Sequence, residues 1–255
     1  MGRLQSGQMQ RTVNPSTSSS MVRIHPCPPL KEVNKTSFFN YWGVGMKIFI
    51  YGDSNTWGYV PNINGYSKNA VAKRYPVENI WWKGLAGRYD VVVDGLCGRA
   101  INQENPWFEG RNSSKTIEND IRGNYDLVLI QLGTNDCKSA YHLSAKEITK
   151  NLSCLLEKIE SICNAQILII SPAKIKEGNK ITDKYYVDAE EKTIEIDKLY
   201  QELAYNKDYL FVSGLDLETG EDGEHFTKLS HKELGNRVEN CIQTWLEMGE
   251  VLEEV

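Results

Sequence analysis

The sequence predicts a three-layer α/β/α sandwich: a five-stranded parallel sheet in the order 2-1-3-4-5, with helices on both faces. Three observations carry this expectation. Short apolar runs alternate with amphipathic stretches from Lys47 onward, the pattern of strand–helix–strand units. Leu127-Val128-Leu129-Ile130-Gln131-Leu132 is an almost unbroken apolar run, as in a strand covered on both sides. Polar, Gly-containing stretches follow the first, third and fifth runs, where open parallel sheets bind ligands, outside the carboxyl ends of their strands.

Taken in order, Ile48–Tyr51 reads as strand one, ended by Gly52-Asp53-Ser54. Residues 59–77 form a long loop rich in Asn, Tyr and Pro. Ile80, Trp81, Trp82, Leu85 and Ala86 share one face of an expected helix that stops near Gly87. Tyr89–Val93 is β-branched and short, strand two, and a short helix is expected near 115–122. Leu127–Leu132 is strand three. Ser144 with Glu147 makes a capping box for a long helix with the stripe Ile148, Leu152, Leu155, Leu156, Ile159 and Ile162. Ile167–Ile170 is strand four, stopped by Ser171-Pro172, and 173–187 is a charged loop. Ile196, Leu199, Tyr200 and Leu203 mark another helix, and Tyr209–Val212 strand five. Ser230 with Glu233 reads as the capping box of the last helix, whose inner face is Leu234, Val238, Cys241, Ile242 and Trp245.

The chain has 255 residues, 40% of them hydrophobic and 25% charged, so one α/β domain with a sizeable core is expected. Residues 46–255 are read as that domain. Residues 1–45, with the tracts Asn14–Ser20 and Pro26–Pro29, are read as a disordered leader, carried in from a vector or read through from upstream of a natural start at Met46. The alternative is a docking arm through Phe38, Phe39, Tyr41 and Trp42. The net charge is −5; the first 45 residues hold five Lys/Arg and one acidic residue, so the rest carries −9. An acidic body excludes a nucleic-acid partner as the leading reading. No run of about 18 apolar residues exists to cross a membrane. The six cysteines show no CxxC and no metal-finger spacing. They read as reduced, packed thiols, and with no secretory h-region they point to the cytoplasm. Cys97 and Cys137 have no nearby His in sequence and are set aside as nucleophiles.

The chemistry concentrates in three stretches. In Gly52-Asp53-Ser54, Ser54 is either a nucleophile exposed on a sharp strand-to-helix turn or an N-cap, with Asp53 favouring the helix dipole. The glycines are too few for a phosphate cradle, and no Lys follows. In Asp222-Gly223-Glu224-His225, Asp222 can bind Nδ1–H of His225 so that Nε2 faces the serine, or the pair merely orders a loop. In Leu132-Gly133-Thr134-Asn135-Asp136, the Asn135 amide can serve a developing oxyanion or close an Asx turn. The N–H groups of Ser54 and of Gly98, in the loop after strand two, can supply two further donors. Of the other histidines, His25 lies in the leader, His142 in a polar loop, and His231 is expected to be exposed at the start of the last helix.

In this order, Gly52-Asp53-Ser54, Gly98, Gly133-Thr134-Asn135-Asp136 and Asp222-Gly223-Glu224-His225 resemble the blocks of the SGNH (GDSL-type) serine hydrolase superfamily, over residues 47–248. The longer strings Gly52–Gly58, Gly95–Arg99 and Leu132–Lys138 are similar to its arylesterase/acyltransferase branch. The resemblance implies Ser54 as nucleophile, His225 as base, Asp222 as its orienting partner, and Ser54, Gly98 and Asn135 as the oxyanion hole. It implies hydrolysis of short-chain, acetyl-type esters through an acyl-enzyme, with no metal or cofactor and a small-molecule ester as partner. Acyl transfer to alcohols, a carbohydrate acetyl esterase and an idle acyl-sugar binding module are the alternatives. Asn55 stands where the first block usually has Leu, and Val93 where the second often has Asn; both bear on substrate preference. Asn55 and Trp57 are accordingly expected against the substrate, with core packing as the alternative for Trp57. The aromatic residues near 57–82 and at 185–186 offer sugar-stacking or homo-oligomer surfaces, or simply pack a long loop.

Overall fold

The computed structural model describes residues 45–66, 71–106 and 108–253. Both readings of the leader concern residues that lie, apart from Gly45, outside this range. Five strands form one sheet: β1 (Lys47–Gly52), β2 (Asp90–Gly95), β3 (Leu127–Gln131), β4 (Gln166–Ile170) and β5 (Leu210–Val212). Their order is β2-β1-β3-β4-β5, every pair parallel, as expected. The helices are α1 (Ser54–Trp57), α2 (Ser113–Asp120), α3 (Ala145–Ile162), α4 (Thr182–Tyr185), α5 (Ala189–Lys207) and α6 (Lys228–Glu253).

Strand residues alternate between two cores, as the pleat requires. Phe49, Tyr51, Val128, Ile130, Ile167 and Ile169 pack with α2, α3 and α5. Ile48, Ile50, Leu127, Leu129, Leu168 and Ile170 pack with α6 and the tryptophans Trp81 and Trp82. The Ser144–Glu147 capping box of α3 forms in both directions, and its stripe from Ile148 to Ile159 is buried. No helix among the described residues is long and apolar enough to cross a membrane.

Three elements differ from expectation. The smallest difference is α4, a single turn over Thr182–Tyr185 inside the stretch 173–187 expected as a loop. Residues 77–87 form three 3-10 turns, Val77–Asn79, Trp81–Lys83 and Leu85–Gly87, in place of one helix. An α-helix would set adjacent side chains about 100° apart. Here the neighbouring indoles both turn inward: Trp81 Nε1 donates to Gln131 Oε1 (3.2 Å) and Trp82 Nε1 to the Thr56 carbonyl (2.9 Å). With Tyr186 they are buried, so three of the expected surface aromatics serve the interior.

The last helix starts at Lys228, before the expected cap. Thr227 Oγ1 accepts from Ser230 N (3.1 Å), and Ser230 Oγ donates back to the Glu218 carbonyl (2.7 Å). His231 lies on the inner face with Leu234, Val238 and Ile242, at helical spacing from them, and is fully buried rather than exposed. Its ring meets Tyr75 and Phe226 edge-on, and neither nitrogen has a hydrogen-bond partner among the described residues. Burial, with His225 nearby, pushes its pKa down to about 3. The unfolded chain therefore binds a proton here that the folded one refuses between about pH 6.5 and 3, and stability falls as pH falls through that window. His231→Phe should flatten the loss by up to about 1.4 kcal/mol per pH unit, read from urea midpoints at pH 5 and 8. Equal slopes would refute the assignment.

Candidate active site

Four loops at the carboxyl ends of β1, β2, β3 and β5 meet above the sheet. The first needs glycine: a Cβ on Gly52 would lie 2.0 Å from Thr56 Oγ1, so any other residue would push α1 off the strand. Asp53, not Ser54, caps α1, its Oδ1 accepting from Asn55 N at 2.9 Å. This leaves the Ser54 hydroxyl free of capping, and it points at His225, Oγ to Nε2 2.9 Å. Burial pushes the Asp53 carboxyl up to about 6, against the bond from Asn55.

The loop after β5 completes the line. His225 Nδ1 lies 2.9 Å from Asp222 Oδ2. Asp222 also accepts from the backbone N–H of Asn62 (2.8 Å), Glu224 (3.2 Å) and His225 (3.1 Å). Burial opposes its ionisation, but these bonds together with the His225 ring hold its pKa below the ordinary 3.8. For His225, burial favours the neutral ring, yet Glu224, Asp222 and Asp53 outweigh it and the pKa stands above 6.5. The Tyr59 ring stacks on the imidazole at 4.3 Å. A Ser–His–Asp line so arranged can move a proton off the hydroxyl and hold it as imidazolium.

The second and third loops bring N–H groups. Gly98 has φ +78°, and a Cβ there would sit 2.7 Å from Asn105 Nδ2, which donates to the Gly98 carbonyl at 3.1 Å. No acceptor among the described residues takes the N–H of Gly98 or of Ser54. Asn135 follows β3. Its Nδ2 donates to the Arg99 carbonyl (3.0 Å) and its Oδ1 accepts from Lys138 Nζ (2.8 Å). An ammonium only donates, so Lys138 fixes which way the amide faces. Lys138 is itself buried, which lowers its pKa against the opposing pull of Glu224, Asp53 and Asp136.

Asn55 turns both ends of its amide to the protein. It is buried, its Nδ2 donates to the Glu224 carbonyl (3.2 Å), and its Oδ1 accepts from Phe226 N (2.9 Å). It ties the helix of the serine to the loop of the histidine, a bond a leucine could not make. Trp57 is partly exposed, between the Arg74 guanidinium (5.4 Å) and the Tyr59 ring (6.2 Å). Val93 packs at the margin of the α6-side core. The Cys97 thiol is pushed up to about 12, first by burial, and the buried Cys137 is also raised, so neither is a ready thiolate.

Four contributors escaped the sequence reading: Tyr59, the Asn62 N–H, Lys138 and Glu224. Lys138 and Glu224 lie inside strings already singled out, at helical and turn spacing from Asn135 and Asp222. Tyr59 and Asn62 sit in the long loop, where no periodicity marks them.

The model of the GDSL-like lipase/acylhydrolase family matches residues 50–233. No curated protein matches the chain in sequence. Among solved structures, the aryl esterase of M. smegmatis is similar, with a TM-score of 0.71 and 24% identity over 78% of this chain and 99% of that one. A carbohydrate acetylesterase from Sinorhizobium meliloti gives a TM-score of 0.71 and 24% identity over 78% and 99%. A lipase/acylhydrolase from Enterococcus faecalis gives 0.54 and 19% over 76% and 93%. These structures share the fold, while the family match covers all four loops of the site. The chain therefore belongs to the GDSL-like lipase/acylhydrolase family and is a carboxylic ester hydrolase.

Proposed function

We propose that this protein hydrolyses short-chain, acetyl-type esters by a Ser54–His225–Asp222 triad and an acyl-enzyme. The observation that carries the reading is the continuous line of two 2.9 Å contacts from Ser54 Oγ through His225 to Asp222. Ser54 Oγ attacks the ester carbonyl as His225 Nε2 takes its proton. The carbonyl oxygen gains charge and rests on the N–H groups of Ser54 and Gly98 and on the second Nδ2 hydrogen of Asn135. The tetrahedral adduct expels the alcohol, which leaves with the proton from His225. Water, deprotonated by the same imidazole, then attacks the acyl-serine, and the second tetrahedral adduct releases the carboxylic acid as Ser54 Oγ takes the proton back from His225. Asp222 keeps the ring in the tautomer with Nδ1–H and steadies the imidazolium.

The acetyl-type assignment draws on the names of the similar structures, aryl esterase and carbohydrate acetylesterase. Trp57, partly exposed beside Tyr59, is proposed to border the acyl group. Cys97, Cys137, Cys154 and Cys241 are free thiols, which supports work in the reducing cytoplasm.

A fluorophosphonate probe should label Ser54 covalently, located by peptide mass spectrometry. A panel of p-nitrophenyl esters of increasing chain length, with acetylated xylose beside it, should show fastest turnover at acetate. Unlabelled protein would leave an idle binding module; a long-chain optimum would reject the acetyl preference.

A further inference from the structure

Glu224 stands between the acid and the base of the triad in sequence, and its side chain is buried at 2% exposure. Two phenols hold one of its oxygens: Tyr186 OH donates to Oε2 at 2.5 Å and Tyr66 OH at 3.3 Å. The other oxygen, Oε1, is buried, accepts no hydrogen bond among the described residues, and lies 3.8 Å from His225 Nδ1. A buried acceptor with no donor is costly, and the tyrosine pair prevents it from turning away. Lys138 is a standing cation that this carboxylate already attracts, and a second positive charge appears beside Oε1 when His225 takes the proton of Ser54. An interaction that strengthens only then favours the transition state over the resting enzyme.

We propose that Glu224 is a positioning residue whose carboxylate, fixed by Tyr66 and Tyr186, stabilises the His225 imidazolium together with Asp222. The inference rests on the proposed triad. The imidazole faces Asp222 and Glu224 from its own loop, Asp53 from the turn after β1, and the stacked Tyr59 ring. His231, across Phe226 on α6, stays neutral. Lys138 lies beyond Glu224, 5.6 Å from the Tyr66 ring and 5.8 Å from the Tyr186 ring, with its Nζ also on Asn135. Carboxylates thus dominate the surroundings of the ring, and Glu224 and Asp222 are the two at its Nδ1.

The test is the pH dependence of kcat/KM on p-nitrophenyl acetate. E224Q keeps an oxygen for the two phenols and removes the charge, E224M removes both, and E224D keeps the charge. The acid limb of E224Q and E224M should move down by about one pH unit, because the imidazolium loses a charge about 4 Å away. Their plateau should fall by roughly tenfold, one such unit expressed as a rate. E224D should hold its limb closer to that of the wild type. An unmoved limb in a folded, charge-free variant, whatever its plateau or melting temperature, would overturn the proposal. So would failure of both charge-free variants to fold, since Glu224 would then serve the fold alone. A wild-type profile with no acid limb would instead bring down the triad itself.

Discussion

Ser54→Ala should lose roughly 10⁵–10⁶-fold in kcat on p-nitrophenyl acetate, as when the nucleophile of a comparable triad is removed. What remains would come from the N–H groups and from binding, which still favour the oxyanion over the ground state. The fold should survive. Ser54 opens α1, but the cap belongs to Asp53, and among the described residues Ser54 Oγ is partnered by His225. Removing that bond should cost about 1 kcal/mol or less, read as a small shift in melting temperature. Loss of turnover with an intact melt is the expected pair of results. Turnover near the wild-type rate would reject the serine mechanism, and a collapsed melt would make the kinetics uninformative about chemistry.

Asn135→Ala should lower kcat by about 10²–10³-fold, the usual effect of deleting one oxyanion donor. It should also destabilise the protein, because Lys138 loses an acceptor at a buried site and the Arg99 carbonyl loses its donor. Asn135→Asp separates the two effects. It keeps an oxygen for Lys138 Nζ but has no amide hydrogen to offer. Its kcat should fall as far as that of Asn135→Ala, while its melting temperature stays closer to the wild type. An Asn135→Asp enzyme with near wild-type kcat would remove Asn135 from the oxyanion hole and leave it as a brace for Lys138.

Sheet, strand order and the long helix α3 were legible in the sequence because each rests on a repeated local signal. Leu127–Leu132 is apolar throughout, and the Ser144–Glu147 box adjoins a stripe at helical spacing. The pairing of Ser54 with His225 and Asp222 was open to reading too, since Ser54 follows β1 closely and the other two share the single segment between β5 and α6. What escaped was set by tertiary partners. Trp81 and Trp82 form 3-10 turns because one indole seeks Gln131 and the other the Thr56 carbonyl. His231 lies inside because it shares the face of Leu234 and Val238 and packs edge-on against Tyr75 and Phe226. Asn55 and Glu224 are polar residues beside reactive ones, and sequence spacing cannot tell a polar group that faces substrate from one that clamps two loops. The structure distinguishes them by where both ends of each side chain go.

The clamp itself has a consequence for when the enzyme becomes active. Asn55 reaches the backbone of Glu224 and Phe226 across 169 and 171 positions, and Asn62 reaches Asp222 across 160. The bond from Ser54 to His225 spans 171. Contacts this distant in sequence close only after the intervening chain is ordered. During synthesis, β1 and the serine emerge first and wait, next to a histidine loop that does not yet exist. Under the proposed triad, the nascent chain is chemically silent until the segment beyond Gly220 docks and brings His225 to Ser54.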